Sequence, residues 1–478
     1  MGKRSRRNRK SKGENSINND DIPRSPPNLR TDDDDEEEET KDNLRFEDPF
    51  EDQYEKEELV NRNNNNGQEE EEEALEKERV MTLNPYHATK EPLEMDPAAY
   101  KMHFSLGGEW PSLSFGFVKD PWGEGRTRFP HQLLAVVGTQ ADRPENNSIQ
   151  LWKLSDLGKL EQANNKDYDE WEAAEDDDND DNEEEEEEEE EMDYDPVLEH
   201  AAVAHDGGVN RLRVQKGLVS SWSDSGHVHL YRLDGIEGGD DHVQAPQLVH
   251  SYRGHATEGY ALDFSLQDRL ATGDNQGSIH VWTDPSRITV TPMYQSKDQK
   301  SVEDIQWSPT ETTVLAAGEE GGLVKIYDIR APNRHMLEKT ANPTDVNVLS
   351  WSKLVTNLLA TGCDDGEWSV WDLRKFQDPL ARFTPHTTPI TSMEWHPTDE
   401  SMIVVSDEVG SFVYDLSVEE EEETTHDDDE ERQDLPPQLL FVHSGSPQTK
   451  EVHWHPQITS CLMSTAYDGF HIFMPSNL

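Results

Sequence analysis

The stretch Leu358-Leu359-Ala360-Thr361-Gly362-Cys363-Asp364-Asp365-Gly366-Glu367-Trp368-Ser369-Val370-Trp371-Asp372-Leu373-Arg374 decides the fold. It opens as a short apolar strand ending in Thr-Gly. An acidic turn with a glycine follows, and tight hairpins need the positive φ that glycine tolerates at little cost. A second short strand then closes on Trp371. Just upstream lies another apolar, alternating strand that ends in Trp351.

The same unit recurs from residue 111 onward. Its closing aromatics are Trp152, Tyr231, Trp282, Tyr327, Trp371, Tyr414 and Phe473. The middle units repeat every 45, 44 and 43 residues, and the two long gaps, 79 after Trp152 and 59 after Tyr414, hold acidic inserts. A period near 44 residues with β-rich units predicts an all-β fold, a seven-bladed WD-repeat β-propeller. The other turns are Asp224-Ser225-Gly226, Asp274 to Gly277, Glu320-Gly321-Gly322, Asp407 to Gly410 and Asp468-Gly469. His205, His255, His386 and His443 recur upstream of them and read as structural hydrogen-bond partners of the turn acids. His453-Trp454-His455 matches Glu394-Trp395-His396 in another unit, so it reads as architecture, and no metal site or cofactor is expected. The last unit ends at Phe473, one outer strand short. Tyr100, Met102, Phe104 and Leu106 alternate with Lys101, His103 and Ser105, a period of two. Residues 100–106 are therefore expected to close the last blade, just before a first strand carrying Leu113, Phe115 and Phe117.

The chain has 478 residues, 102 Asp+Glu against 43 Lys+Arg, and a net charge of −59. Asp32–Glu39, Glu69–Glu73, Glu175–Glu191, Glu419–Glu423 and Asp427–Glu431 together hold 38 of the acids. Such runs repel themselves and bury no core. The expected organisation is a basic, then acidic, disordered region over 1–99 and a propeller over 100–478, with acidic inserts at 160–198 and 419–434. Lys3, Arg4, Arg6, Arg7, Arg9, Lys10 and Lys12 crowd the first twelve residues without an acid, a pattern that suggests nuclear import. Two cysteines, Cys363 and Cys461, exclude a disulfide scaffold and a cysteine-based zinc site. No apolar run approaches 18 residues and no apolar h-region follows the first residues, so a reducing setting, cytosol or nucleus, is expected without membrane association.

Phosphate-cradling glycine loops, His-Glu-x-x-His, Gly-x-Ser-x-Gly and a calcium loop are all missing from the sequence. The expectation is a docking platform, not an enzyme. An acidic, multivalent surface suits a basic client that binds RNA indiscriminately when unshielded.

Two segments resemble the histone-binding WD-repeat proteins of the retinoblastoma-binding type. These are Glu109-Trp110-Pro111-Ser112-Leu113-Ser114 and Asp434-Leu435-Pro436-Pro437-Gln438-Leu439-Leu440-Phe441-Val442-His443. In that family the acidic Pro-Pro loop and an N-terminal helix form the groove for a histone helix. Here Pro85 and Pro92 interrupt the helical stretch, and the family lacks the Glu175–Glu191 insert. Acidic tail, acidic insert and propeller together look more like the glutamate-rich WD-repeat proteins, the ribosome-assembly branch. That resemblance implies a monomeric nucleolar escort that shields a basic ribosomal protein of the large subunit, universal protein three, and brings it to pre-ribosomal particles. It would act in nucleus and nucleolus, shuttle with the cytoplasm, and read no nucleic-acid sequence. The partner-binding candidates are Asp427, Asp428, Asp429, Glu430, Glu431, Asp434, Leu435, Pro436 and Pro437. A histone-binding chromatin chaperone is the first alternative. A substrate receptor of a cullin-based ubiquitin ligase is the second, because Asp328-x-Arg330 and Asp372-x-Arg374 resemble the docking motifs of such receptors. The plainer reading is a local Asp–Arg pair ending each blade.

Overall fold

Each unit folds as a four-stranded antiparallel sheet, and the described chain contains seven of them. The computed structural model describes residues 95–160, 196–236, 243–284, 289–419 and 436–478. The quoted stretch supplies the middle strands of blade 5: Val346–Trp351, Leu358–Cys363, Trp368–Asp372 and Ala381–Phe383. Blade 1 is Phe115–Val118, His131–Gly138, Ser148–Leu157 and Val197–Ala204. Blade 2 opens with Val209–Gln215, blade 3 with Ala261–Phe264, blade 4 with Val302–Trp307, blade 6 with Ile390–Trp395 and blade 7 with Glu451–Trp454. All seven closing aromatics lie in third strands and are buried, Trp282, Tyr327, Tyr414 and Phe473 to 0% exposure.

The ring closes through chain segments far apart in sequence. Tyr100–Leu106 pairs antiparallel with Gly469–Pro475, placing Phe104 opposite Ile472 and Met102 opposite Met474. Met102 is fully buried with Phe115, Leu133, Phe470 and Ile472. The alternation follows from this pairing: Tyr100 and Met102 face the core, and Lys101 and His103 do not. A bulge between Tyr100 and Met102 shifts the register there. The apolar third strand of the last blade is thereby covered and is not left as an edge that templates aggregation.

The apolar Trp at the end of an inner strand has a polar neighbour for a reason visible only in the packed ring. The inner strands of adjacent blades are bridged by side chains. Trp307 N donates to Asp263 Oδ2 at 2.7 Å, and its Nε1 donates to the Asp263 carbonyl at 3.2 Å. Trp395 makes the same pair of bonds with Ser350, and Trp454 with Glu394. The residue after the Trp caps the following turn: Ser308 accepts from Glu311 N, Ser352 from Val355 N, His396 from Asp399 N and His455 from Ile458 N. Trp-x-Pro is thus a latch followed by a turn cap.

Several expectations are corrected here. His255 bonds Asp274, and His386 bonds Asp407, as turn-acid partners. His205 instead meets the Gly207 carbonyl and Ser221, and His443 meets the Tyr100 hydroxyl. Gly410 has no positive φ. It is required by close approach, since a Cβ there would sit 2.4 Å from the His443 carbonyl. Leu113 precedes the first strand, which begins at Phe115. At the ends of the insert assigned to 160–198, Leu160 packs against the core, and Val197 and Leu198 belong to the outer strand of blade 1.

Candidate functional site

Three departures from regular blade structure meet at one edge of the propeller. The described chain enters through the short turn Pro97–Ala99 into Tyr100. Leu160, the last described residue before the long acidic insert, donates its N–H to the Lys101 carbonyl at 2.8 Å. The acidic loop of blade 6 leaves after Glu419 and returns at Pro436, and its stem is tied by Gln438 Nε2 donating to the Val418 carbonyl at 2.9 Å. Leu439–Ser444 then forms the outer strand of blade 6. The C-terminal residues stitch these pieces together. Asn477 Nδ2 donates to the Leu440 carbonyl, Lys101 Nζ to the Leu478 carbonyl and Ser476 N to the Ala99 carbonyl. Ala99, Leu160, Phe441 and Leu478 all pack on one apolar cluster with Tyr100 and Phe473. Packing, not hydrogen bonding alone, therefore fixes the three entry and exit points beside each other.

Pro436 is half-buried and Pro437 exposed at this edge. Asp427, Asp428, Asp429, Glu430, Glu431, Asp434 and Leu435 lie outside the described residues, as do Lys3, Arg4, Arg6, Arg7, Arg9, Lys10 and Lys12. The Asp-x-Arg residues are on blades 4 and 5. Arg330 grips Asp328 through Nε at 3.0 Å and Nη2 at 2.5 Å, and Arg374 holds Asp372 in the same way at 2.9 and 2.7 Å. Each carboxyl is held down at about 2, first by its arginine side chain. Both guanidinium groups remain largely exposed while two of their donors are committed within the same turn.

A charged network on the inner strands was not legible in the repeat pattern. Glu451, fully buried at the start of blade 7, receives Ser114 Oγ at 2.7 Å and Phe115 N at 2.9 Å from blade 1. It also receives Arg211 at 3.1 Å and Arg213 at 2.8 Å from blade 2. His453 lies between Glu394, 3.1 Å from Nδ1, and Glu451, 3.5 Å from Nε2. Burial alone would lower the His453 pKa, but Glu451 and Glu394 outweigh it and raise it to about 8. Burial would raise Glu451, but Arg213, His453 and Arg211 hold it well below the usual carboxylate range. Burial pushes Asp263, on the inner strand of blade 3, up to about 7. The one signal for this network in the sequence is a charged residue in a strand whose counterparts are apolar. A second cluster also escaped notice: His103, His443 and His471 bring nitrogens within 4.8 Å of one another. Among the described residues no helix is long and apolar enough to cross a membrane.

The comparisons agree with this geometry. The family described as the histone-binding protein RBBP4, a component of the CAF1 complex, matches residues 90–157, the closing strand and first blade. The N-terminal domain of nucleolar protein 10-like proteins matches residues 288–425. Among full-length relatives, the chain is similar to the protein HEAT STRESS TOLERANT DWD 1 of Arabidopsis thaliana, 40% identical over 81% of this chain and 89% of that protein. It is 42% identical to the glutamate-rich WD repeat-containing protein 1 of Dictyostelium discoideum over 81% of this chain and 82% of the relative. It is 36% identical to the ribosome assembly protein rrb1 of Schizosaccharomyces pombe over 80% and 82%. The histone-binding protein MSI1 of Saccharomyces cerevisiae is more distant, 22% identical over 46% of this chain. With the propeller, the acidic composition and identity near 40% over four-fifths of its length, the chain belongs to the glutamate-rich WD-repeat proteins.

Proposed function

We propose that this protein is a non-enzymatic escort in ribosome assembly that shields a basic ribosomal protein of the large subunit, universal protein three, and delivers it to pre-ribosomal particles in the nucleolus. The observation that carries this reading is the convergence of the chain's entry, the start of the long acidic insert and the stem of the acidic Pro-Pro loop on one apolar edge. Segments rooted together reach one client together, so their charge acts multivalently. The name of the rrb1 relative places that protein in ribosome assembly. Flexible charge mainly speeds encounter and is screened over about 8 Å at physiological salt. An apolar anchor slows dissociation, and truncating such an anchor commonly costs about 2 kcal/mol or more. Asp427–Glu431 and Asp434 supply the first effect in this reading, and Leu435, Pro436 and Pro437 the second.

The test is binding kinetics to purified universal protein three across a salt series. Deleting residues 175–191 lowers the on-rate and flattens its salt dependence with the off-rate nearly unchanged. Leu435→Ser raises the off-rate at every salt concentration. If Leu435→Ser changes nothing while the acidic deletion abolishes binding at all salts, the loop is no dock. The match at residues 90–157 favours a second reading, histone binding. Nuclease-treated co-purification at moderate salt separates them: a large-subunit ribosomal protein near stoichiometry supports the first, core histones the second, and a cullin adaptor would bring Asp328, Arg330, Asp372 and Arg374 forward as a docking site. Residues 3–12 direct import in this scheme, so replacing Arg4, Arg6, Arg7 and Arg9 with Ala abolishes nuclear accumulation. An unchanged image assigns import to another segment or to the client.

A further inference from the structure

We infer that His103, His443 and His471 form a metal site for a divalent transition ion of the zinc type, which pins the closing strand to the last two blades. The residues come from three strands that sequence separates widely: the closing strand, the outer strand of blade 6 and the third strand of blade 7. Their ring centroids lie 5.4, 5.5 and 6.1 Å apart. One nitrogen of each ring lies within 4.8 Å of the others. Ligands at the usual Zn–N distance of about 2.0–2.1 Å sit about 3.4 Å from each other in a tetrahedral set. Small tilts of the rings close the difference.

Two further features distinguish the cluster from imidazoles that merely pack. His443 is buried, and its Nε2 has no hydrogen-bond partner. Buried polar atoms are nearly always paired, so an orphan of this kind calls for an explanation. Its Nδ1 lies 2.9 Å from the Tyr100 hydroxyl. With Nδ1–H donating to that oxygen, Nε2 turns its lone pair to the cluster. His471 has the outer partner typical of a ligating histidine: Nε2 is 3.2 Å from Asp468 Oδ1. A carboxylate there fixes the tautomer and makes the ring a better ligand. Nδ1 of His471 lies 3.2 Å from Ser105 Oγ, and that hydroxyl, or a water, stands next to the fourth position. Imidazole ligands suit zinc, copper and nickel, and exclude calcium and magnesium, which take oxygen ligands.

The test uses the full chain, stripped with a chelator and held in excess Mg²⁺ so that the acidic runs are occupied. Zn²⁺ is titrated against a competing chromophore, and Co²⁺ is added separately to read its d–d absorption. Expected is one tight equivalent of Zn²⁺ and a Co²⁺ spectrum of low coordination number. Both are lost in His443→Gln. His103 is partly exposed, so His103→Gln keeps the fold and weakens the site at least about 100-fold, while Asp468→Asn weakens it about 10–100-fold. Zn²⁺ raises the melting temperature of the wild type and not of His103→Gln. The inference is overturned if no tight equivalent binds, or if that equivalent survives His103→Gln and disappears instead in His227→Gln, which removes a ligand from the other cluster, Asp206, His227 and His229.

Discussion

Removing residues 1–107 yields a chain that aggregates on refolding, whereas removing residues 1–80 leaves the melting temperature nearly unchanged. The longer deletion takes away Tyr100–Leu106 and opens the whole third strand of blade 7, Gly469–Pro475, to solvent. Tyr100 and Met102 are buried and Phe104 and Leu106 half-buried in the clusters they share with Phe470, Ile472, Met474 and Phe473. Burying one such side chain stabilises by about 1.5–3 kcal/mol, so the four together contribute on the order of 6–12 kcal/mol. That is comparable with the whole stability of a typical domain, about 5–15 kcal/mol. The uncovered edge is also apolar, which makes it a template for pairing between copies. Thermal denaturation and light scattering of the two fragments check this. A soluble 108–478 fragment melting with the full chain would show that another segment completes the blade.

Glu451→Ala is expected to cost about 3–5 kcal/mol, the range seen when one partner of a buried ion pair is removed. The carboxylate is fully buried and is shared by Arg211, Arg213 and His453, with two further bonds to blade 1. Its loss leaves two guanidinium groups facing each other across the closure seam. At roughly 2–4 °C per kcal/mol the melting temperature falls by roughly 10 °C. Lys450→Ala, next door on a half-exposed pair with Glu408, changes it little. The same network has a pH signature. The folded pKa of His453 is raised from 6.5 to about 8. A raised histidine contributes stability that is complete below the unfolded pKa and is lost as pH rises through the folded one. Between about pH 6.5 and 8.5 the wild type therefore loses on the order of 2 kcal/mol relative to His453→Gln. Asp263, raised to about 7, also favours lower pH, and the comparison with the variant subtracts it. A wild type and variant with parallel stability curves over this window would show that His453 is neutral in the fold.

The repeat of closing aromatics, the turn acids and the period-two alternation over 100–106 are local properties, and they determined the propeller and its seven blades from the sequence alone. A strand buried on both faces must be apolar, a hairpin must have its turn residues, and neither depends on what lies elsewhere in the chain. Charge is equally local, so the acidic runs and the basic first twelve residues were plain from composition. The side-chain latches were not. Asp263, Ser350 and Glu394 read as polar accidents until the ring placed them against the N–H of the next blade's tryptophan. The functional edge and the histidine cluster depended still more on closure. Leu160, Phe441 and Leu478 touch one cluster although long stretches of chain separate them, and His103 meets His443 and His471 only because the first strand pairs with the last. Sequence patterns report each residue's own backbone and burial, while a site assembled from distant segments and two blades is defined by contacts between remote residues, which only the closed ring specifies.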